Sequence, residues 1–365
     1  MSLSIGIVGL ANVGKSTLFN ALLRESAAEV SNYPFCTIEP NVGIVKVPDS
    51  RLNQLQKILK LPKKIPAPIK FIDIAGLVKG AHKGAGLGNQ FLANIRETDA
   101  IIIVLRAFSD PNIASPLNSI QPEEEYGTVK TELILKDLET VEKKLLSLAK
   151  DIKAGDKLAR EQLDILRRVK KFLNDNQLAQ QVSLDQDELA IIKDLNLLTL
   201  KPILAVLNCD EKDLTKSCLP AGRPPFISHL PEERQIEISV KIEAELAELN
   251  QPDQKEYLAT LGLTEPGLNR LIRASFHLLN LISFYTFTRE LVQAWPAPAR
   301  ISAQNAAGLI HSDFAKKFIT AEAVDFSDLI SAGSWEKAKS SGLVKKVGKN
   351  GQITDGQIVF FKHGK

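Results

Sequence analysis

The chain has 365 residues, 44% hydrophobic and 24% charged, with a formal net charge of +3. That length predicts two or three domains, and the balance is that of a globular chain, so any basic partner surface has to be local. Cys36, Cys209 and Cys218 are too few and too scattered for a disulfide framework or a zinc site, and no apolar run reaches the roughly 20 residues that span a bilayer. The first strand begins within a few residues of the start, leaving no expected signal peptide, so the expected location is the reducing cytoplasm.

An apolar run at 4–8 predicts a buried strand, and Leu18, Phe19, Leu22 and Leu23 at helical spacing predict a helix. Between them residues 9–16 read GLANVGKS, the G-x-x-x-x-G-K-S spacing of a phosphate-binding loop. A phosphate chain needs inward backbone N–H groups, a helix N-terminus and a cation that reaches the outer phosphates. Amides of Asn12, Val13, Gly14, Lys15, Ser16 and Thr17 supply the first. Gly9 and Gly14 admit the backbone angles, Lys15 supplies the charge, and the Ser16 hydroxyl is the expected Mg²⁺ ligand. The strand, loop and helix context separates this from a glycine turn whose lysine faces solvent.

Residues 32–40, NYPFCTIEP, are bracketed by prolines that cannot continue a helix and predict a loop. Thr37 there is placed to bring its hydroxyl to the metal and the γ-phosphate, as in a switch loop. Strands are predicted at 41–47 and 69–72, the second ending in the D-x-x-G of Asp73 to Gly76. Asp73 is the expected metal carboxylate, and the Gly76 N–H the expected γ-phosphate donor. GTPases that activate water with a side chain carry Gln at the next position; this chain has Leu77, which cannot orient water. The catalytic set is therefore Lys15, Thr37 and Gly76, helped by a partner. A segment with four glycines follows at 79–90.

After a predicted strand at 100–105, Ile134, Leu138, Val141, Leu145, Leu148 and Ile152 alternate spacings of four and three, a heptad seam. Gly155 and Asp156 break it, and Leu163, Leu166, Val169 and Leu173 make a second stripe, predicting an antiparallel helical hairpin inserted in the nucleotide domain. Lys150, Lys153, Lys157, Arg160, Arg167, Arg168, Lys170 and Lys171 surround its tip and return arm. They have two readings, a solvated basic face or contact with a phosphate backbone.

A strand at 201–207 leads into Asn208, Cys209, Asp210 and Glu211, where the base should be read. Guanine-specific GTPases hold N-K-x-D there, the aspartate gripping the guanine edge and the lysine packing across the ring. Here Cys209 replaces the lysine and Glu211 the aspartate. Losing hydrogen bonds that a buried site was built to make costs orders of magnitude in discrimination, so adenine is expected to be accepted and preferred. A strand at 235–238 leads to Ser239, Val240 and Lys241, where a backbone loop closes over the base. Beyond a helix at 267–281, runs at 283–288 and 290–295 predict a hairpin, 302–311 a helix, and 357–362 a final strand after the Asp355-Gly356 turn. Such a compact β-grasp-like module is a docking surface, and His311 and Asp313 take a structural or interface role.

These stretches together resemble the YchF family, the Obg-like ATPases of the translation-factor class of P-loop NTPases. The likeness covers nearly the whole chain: GLANVGKSTLFNAL from Gly9, NYPFCTIEPNVGIV from Asn32, DIAGLVKGA from Asp73, GLGNQFL from Gly86, TELILKDLETVEK from Thr131, EPGLNRLIRA from Glu265 and AAGLIHSDFAKKFI from Ala306. It implies an α/β chain with a P-loop NTPase G domain at 1–127 and 200–280, an inserted antiparallel helical coiled coil at 128–199 and a C-terminal TGS domain at 281–365. Asn208 to Glu211 matches the family's N-x-x-E, linked to ATP preference, and Leu77 its replacement of the catalytic glutamine. One departure concerns a histidine that many members carry in D-P-x-I-x-H; here Asp110 to Ala114 lead to Ser115. His82 is either a partial substitute for it or a solvated loop residue.

The resulting expectation is a Mg²⁺-dependent ATPase that prefers ATP to GTP, turns over slowly to ADP and phosphate, and switches its binding to the ribosome. Asn12 is a candidate for recruiting K⁺. Expected partners are ATP and ribosomal RNA and proteins, reached through the basic coiled coil and the TGS domain, with no membrane and a monomeric state. Two alternatives remain: a guanine-specific GTPase with Glu211 standing in for aspartate, and a non-catalytic nucleotide-gated adaptor.

Overall fold

The computed structural model describes residues 3–27, 41–74, 94–114, 120–214, 227–228 and 230–364. The chain clusters into two compact units, Met1–Gly43 with Lys70–Arg270, and Ile44–Ile69 with Leu271–Lys365. The strands in chain order are β1 (Ser4–Val8), β2 (Val42–Lys46), β3 (Lys63–Ile65), β4 (Pro68–Asp73), β5 (Ala100–Ala107), β6 (Ile203–Cys209), β7 (Gln235–Ile238), β8 (Leu281–Phe287), β9 (Leu291–Pro298), β10 (Phe318–Val324), β11 (Lys345–Val347) and β12 (Ile358–His363). Helices used below are α1 (Lys15–Ala27), α2 (Ser50–Ile58), α3 (Pro122–Lys153), α4 (Lys157–Asn174), α5 (Gln186–Ile192), α6 (Glu211–Leu214), α7 (Val240–Leu246), α8 (Gln251–Thr260), α9 (Gly267–Leu278) and α10 (Ala303–Ile310).

One six-stranded sheet runs in the order β2-β4-β1-β5-β6-β7. β1 pairs parallel with β4 and β5, β5 with β6, and β6 with β7. Parallel strands covered on both faces are apolar on both, which is why these runs do not alternate; every residue of β1 and β6 is buried. The sequence at 201–207 predicts a strand that stops before Asn208, but β6 continues through Cys209, in register with Arg106 and Ala107 of β5. Because β1 lies between β4 and β5, the chain order reverses about it. Loops leaving the strand ends at such a switch point form the crevice where open α/β sheets bind ligands.

α3 begins at Pro122 rather than near Thr128, since proline at the first position followed by Glu123, Glu124 and Glu125 suits a helix N-terminus. Ile134, Val141 and Leu148 of α3 and Leu166, Val169 and Leu173 of α4 are buried, so the two apolar stripes make a helical hairpin. Asp156 caps α4, accepting from Leu158 N at 2.9 Å and Ala159 N at 3.3 Å. Lys170 and Glu142 pair across the helices at 2.8 Å. Further down α3, the fully buried Asp137 accepts from Leu198 N (2.9 Å), Thr199 N (2.7 Å) and the Thr199 hydroxyl (2.6 Å). Those bonds tie the hairpin to the segment that enters β6.

The second unit holds a sheet in the order β11-β10-β12-β8-β9-β3. β8 and β9 form the predicted hairpin, and β3 adds to β9 as a parallel edge strand, an element absent from the sequence reading. β3 pairs only as far as Gln293, so Pro296 and Pro298 at the far end of β9 interrupt no ladder on that side. Ala303, Ala306 and Ala307 of α10 pack on Phe284, Val359 and Phe361, with the two phenylalanine rings edge to face at 6.1 Å. Asp49 caps α2, accepting from Arg51 N at 3.0 Å and from the Tyr285 hydroxyl. Arg51 in turn reaches Asp355 at 2.7 Å, and Asp355 accepts from Ser283 N at 2.9 Å.

Burial disfavours the Asp49 charge, but the donors Arg51 and Tyr285 outweigh it and hold its carboxyl below the ordinary carboxylate range. A depressed native value stabilises the fold above the unfolded pKa and is lost as pH falls through the native one. Asp49→Asn is therefore expected to cost about 1–3 kcal/mol of unfolding free energy at pH 7, a difference that shrinks below about pH 4. Urea unfolding of both proteins at pH 7 and pH 3 measures this, and an equal gap at both pH values contradicts it.

Candidate functional site

The loop between β1 and α1 is shaped by close approach. A Cβ on Gly9 would sit 2.4 Å from the Val104 carbonyl oxygen of β5, so the loop leaves β1 pressed against its neighbour strand. Asn12 has φ 62° and Gly14 φ 102°, and a Cβ on Gly14 would meet Asn208 Nδ2 at 2.6 Å. Gly14 O accepts from Leu18 N at 2.9 Å as α1 starts. Lys15 is only 7% exposed, and its Nζ donates to Leu10 O at 2.6 Å. Burial pushes its ammonium down from the ordinary lysine range, opposed by the charges of Asp73 and Glu125. Ser16 and Thr17 are exposed on the first turn of α1, and Val13 is buried.

Asp73 ends β4 opposite Ile7, its N–H donating to Asn41 O at 2.9 Å. Its Oδ1 is buried with no hydrogen-bond partner among the described residues. An orphaned carboxylate oxygen beside a phosphate-loop lysine, with a serine hydroxyl on the adjoining helix turn, is an all-oxygen donor set that fits Mg²⁺. Thr37 and Gly76, with Leu77, His82 and Ser115, lie outside the described residues.

On the other side, Asn208 is 6% exposed and uses both ends of its carboxamide. Nδ2 donates to Val13 O at 3.0 Å, and Oδ1 accepts from Val240 N at 3.0 Å. One side chain therefore joins the phosphate loop to the loop between β7 and α7. Ser239 and Val240 are buried there, while Lys241 is exposed. Cys209 is a buried thiol outside any disulfide, its Sγ donating to Leu207 O at 3.4 Å. Glu211 is exposed at the first position of α6. Asp210 faces the loop after β5, its Oδ2 accepting from Ser109 N at 3.0 Å.

Two residues of this region escape the sequence reading. Arg106, 3% exposed, donates from Nε to Phe108 O (3.2 Å), from Nη1 to Ile113 O (2.9 Å) and from Nη2 to Asp110 O (3.1 Å). It thereby shapes the loop after β5, and Asn12 Nδ2 donates to Ala114 O in that loop at 3.2 Å. Glu125, on the first turn of α3, is fully buried, and its Oε2 accepts from Arg106 N at 2.8 Å. Burial raises the Glu125 carboxyl, opposed by Arg106 and Lys15. The available signals were an arginine just past the strand predicted at 100–105 and a glutamate triplet after a proline, and neither pattern marks a buried charge.

Residues 4–151 match the family described as "50S ribosome-binding GTPase", and residues 281–364 the YchF-GTPase C-terminal family, described as a protein of unknown function. The chain is 43% identical over 99% of both chains to the Bacillus subtilis protein named "Ribosome-binding ATPase YchF", and 42% identical, with the same coverage, to its Escherichia coli O157:H7 namesake. It also superposes on the solved Schizosaccharomyces pombe YchF GTPase with a TM-score of 0.87 at 32% identity, covering 99% of this chain and 98% of that one. Among the described residues no helix is long and apolar enough to cross a membrane.

The tight fit of Gly14 against Asn208 gives a direct check. Gly14→Ala is expected to lower the unfolding free energy by about 1–3 kcal/mol, because the left-handed backbone and the contact both resist a Cβ. Gly127→Ala, inside α3 with nothing near its Cβ position, should instead raise it by about 0.4–1 kcal/mol. Chemical denaturation of the two variants measures both signs.

Proposed function

This chain belongs to the YchF family, and we propose that it is a Mg²⁺-dependent ATPase whose nucleotide state controls its binding to the ribosome. The observation that carries the reading is the convergence of Lys15, buried at the start of α1, with Asp73 at the end of β4, whose Oδ1 has no hydrogen-bond partner among the described residues. Lys15 would pass from the Leu10 carbonyl to the β- and γ-phosphates, alongside amides of the 12–17 loop. Ser16, Thr37 and Asp73 would hold Mg²⁺, which when bound neutralises charge developing on the phosphate oxygens. The Gly76 N–H would bond the γ-phosphate, and Asn12 would recruit K⁺ with the oxygen of its carboxamide. No side chain in this set polarises water, so slow intrinsic turnover and acceleration by a partner follow.

The names of the relatives do not agree on the base: the bacterial ones are called ATPases, the yeast structure a GTPase. The residues favour ATP. A thiol buried against its own strand offers no cation to lie across a guanine ring, and Glu211 is one methylene longer than the guanine-gripping aspartate. Asn208, Cys209, Glu211 and the Ser239 to Lys241 loop would surround the base. The relatives' printed names support the ribosome as partner. The coiled coil at 128–199 and a TGS domain at 281–365 are the proposed docking parts, with Lys150, Lys153, Lys157 and Arg160 exposed around the hairpin turn.

Cys209→Lys combined with Glu211→Asp is expected to move preference from ATP toward GTP by about tenfold or more, read as the ratio of the two dissociation constants in Mg²⁺. Lys15→Ala should abolish hydrolysis with and without purified ribosomes. GTP preference in the unmodified protein would overturn the base assignment and favour a ribosome-linked GTPase.

A further inference from the structure

The buried carboxylate of Glu125 has no part in the proposed chemistry, yet it stands where the helical hairpin meets the phosphate loop. It is fully buried, and only one of its oxygens is engaged: Oε2 accepts from Arg106 N at 2.8 Å, while Oε1 has no hydrogen-bond partner among the described residues. Arg106 lies two residues beyond Val104, whose carbonyl is the wall that requires glycine at position 9. The Arg106 side chain holds the 107–114 loop by three backbone carbonyls. That loop is fastened on both flanks of the site, to the phosphate loop by Asn12 Nδ2 on Ala114 O (3.2 Å) and to the base side by Ser109 N on Asp210 Oδ2 (3.0 Å).

We propose that Glu125 is a positioning residue through which α3 sets nucleotide affinity: its charge competes with phosphate for the field of Lys15, and its bond to Arg106 N fixes the loop that touches both ends of the site. The proposal rests on the nucleotide reading above. A half-satisfied buried carboxylate is costly unless a cation offsets it, and the charges facing it are Arg106 from β5 and Lys15 from α1, with Asp73 sharing Lys15 from β4. Phosphates arriving at Lys15 meet that negative field, and a triphosphate meets it more strongly than a diphosphate. Since Glu125 is on the first turn of α3, a partner that draws the hairpin's start away from Lys15 would remove this charge and tighten nucleotide.

The experiment compares dissociation constants for ATP and ADP with Mg²⁺ at pH 8, together with thermal midpoints, in the full-length protein and three variants. Glu125→Gln keeps an acceptor for Arg106 N but removes the charge; it should tighten ATP by about three- to tenfold and ADP by less, with little change in midpoint. Glu125→Ala should also tighten ATP while lowering the midpoint. Asp137→Ala, which breaks the structural tie further along the same helix, should lower the midpoint and leave both affinities unchanged. The proposal is overturned if Glu125→Gln leaves ATP within twofold of the unmodified protein, or if Asp137→Ala shifts affinity as much. Absence of ATP binding by the unmodified chain would remove the nucleotide reading itself, and this inference with it.

Discussion

A single buried carboxamide joins the two loops on which the site depends. Asn208 gives its amide hydrogen to Val13 O and takes one from Val240 N, linking the loop after β1 to the loop after β7 across two intervening strands. A buried hydrogen bond of this kind is worth about 1 kcal/mol net, but leaving either backbone partner unmet costs more. The packing respects it: Gly14 is a residue without a Cβ at the point where the Asn208 amide passes. The loop after β1 and the loop after β7 are thus one object rather than two, and a change on either side is felt by the other.

The parallel sheet supplies the rigidity for this arrangement. Continuous burial of β1 and β6 and near-continuous burial of β5 lock the strand end that leads into the Lys15 loop and the strand ends that carry Arg106 and Asn208. β5 and β6 run in register from Ile101 and Ile203 to Ala107 and Cys209, so Arg106 and Asn208 lie side by side. Charge is handled economically in this dry region. Lys15 and Arg106 are the cations, Asp73 and Glu125 the carboxylates, and each carboxylate keeps one buried oxygen without a partner among the described residues. On the function proposed above, those two oxygens are the capacity left for a polyphosphate and a divalent cation.

Much of this was legible in the sequence because its signals are local. The GLANVGKS loop, the strand before it and the helix after it follow from spacing alone, and Ile134, Val141 and Leu148 declare the hairpin by period. What was not legible depends on long-range placement. Nothing in the run from Pro122 to Glu125 distinguishes a buried Glu125 from an ordinary acidic helix start, and Arg106 reads as the solvent end of a strand. β3 is three residues long and forms only because β9 offers an open edge. The sequence motif makes Asn208 an expected base-reading residue, but its tie to Val13 spans 195 residues of sequence and belongs to the fold.

The most direct test of the account is the affinity of Asn208→Asp for ATP with Mg²⁺, read by calorimetry on protein verified as folded. Aspartate still accepts from Val240 N but cannot donate to Val13 O, so the two loops lose their tie while the side-chain volume is kept. The account predicts at least about tenfold weaker binding, or roughly 1.4 kcal/mol. Binding within twofold of the unmodified protein would contradict it, and would mean that the phosphate and base loops hold their nucleotide independently.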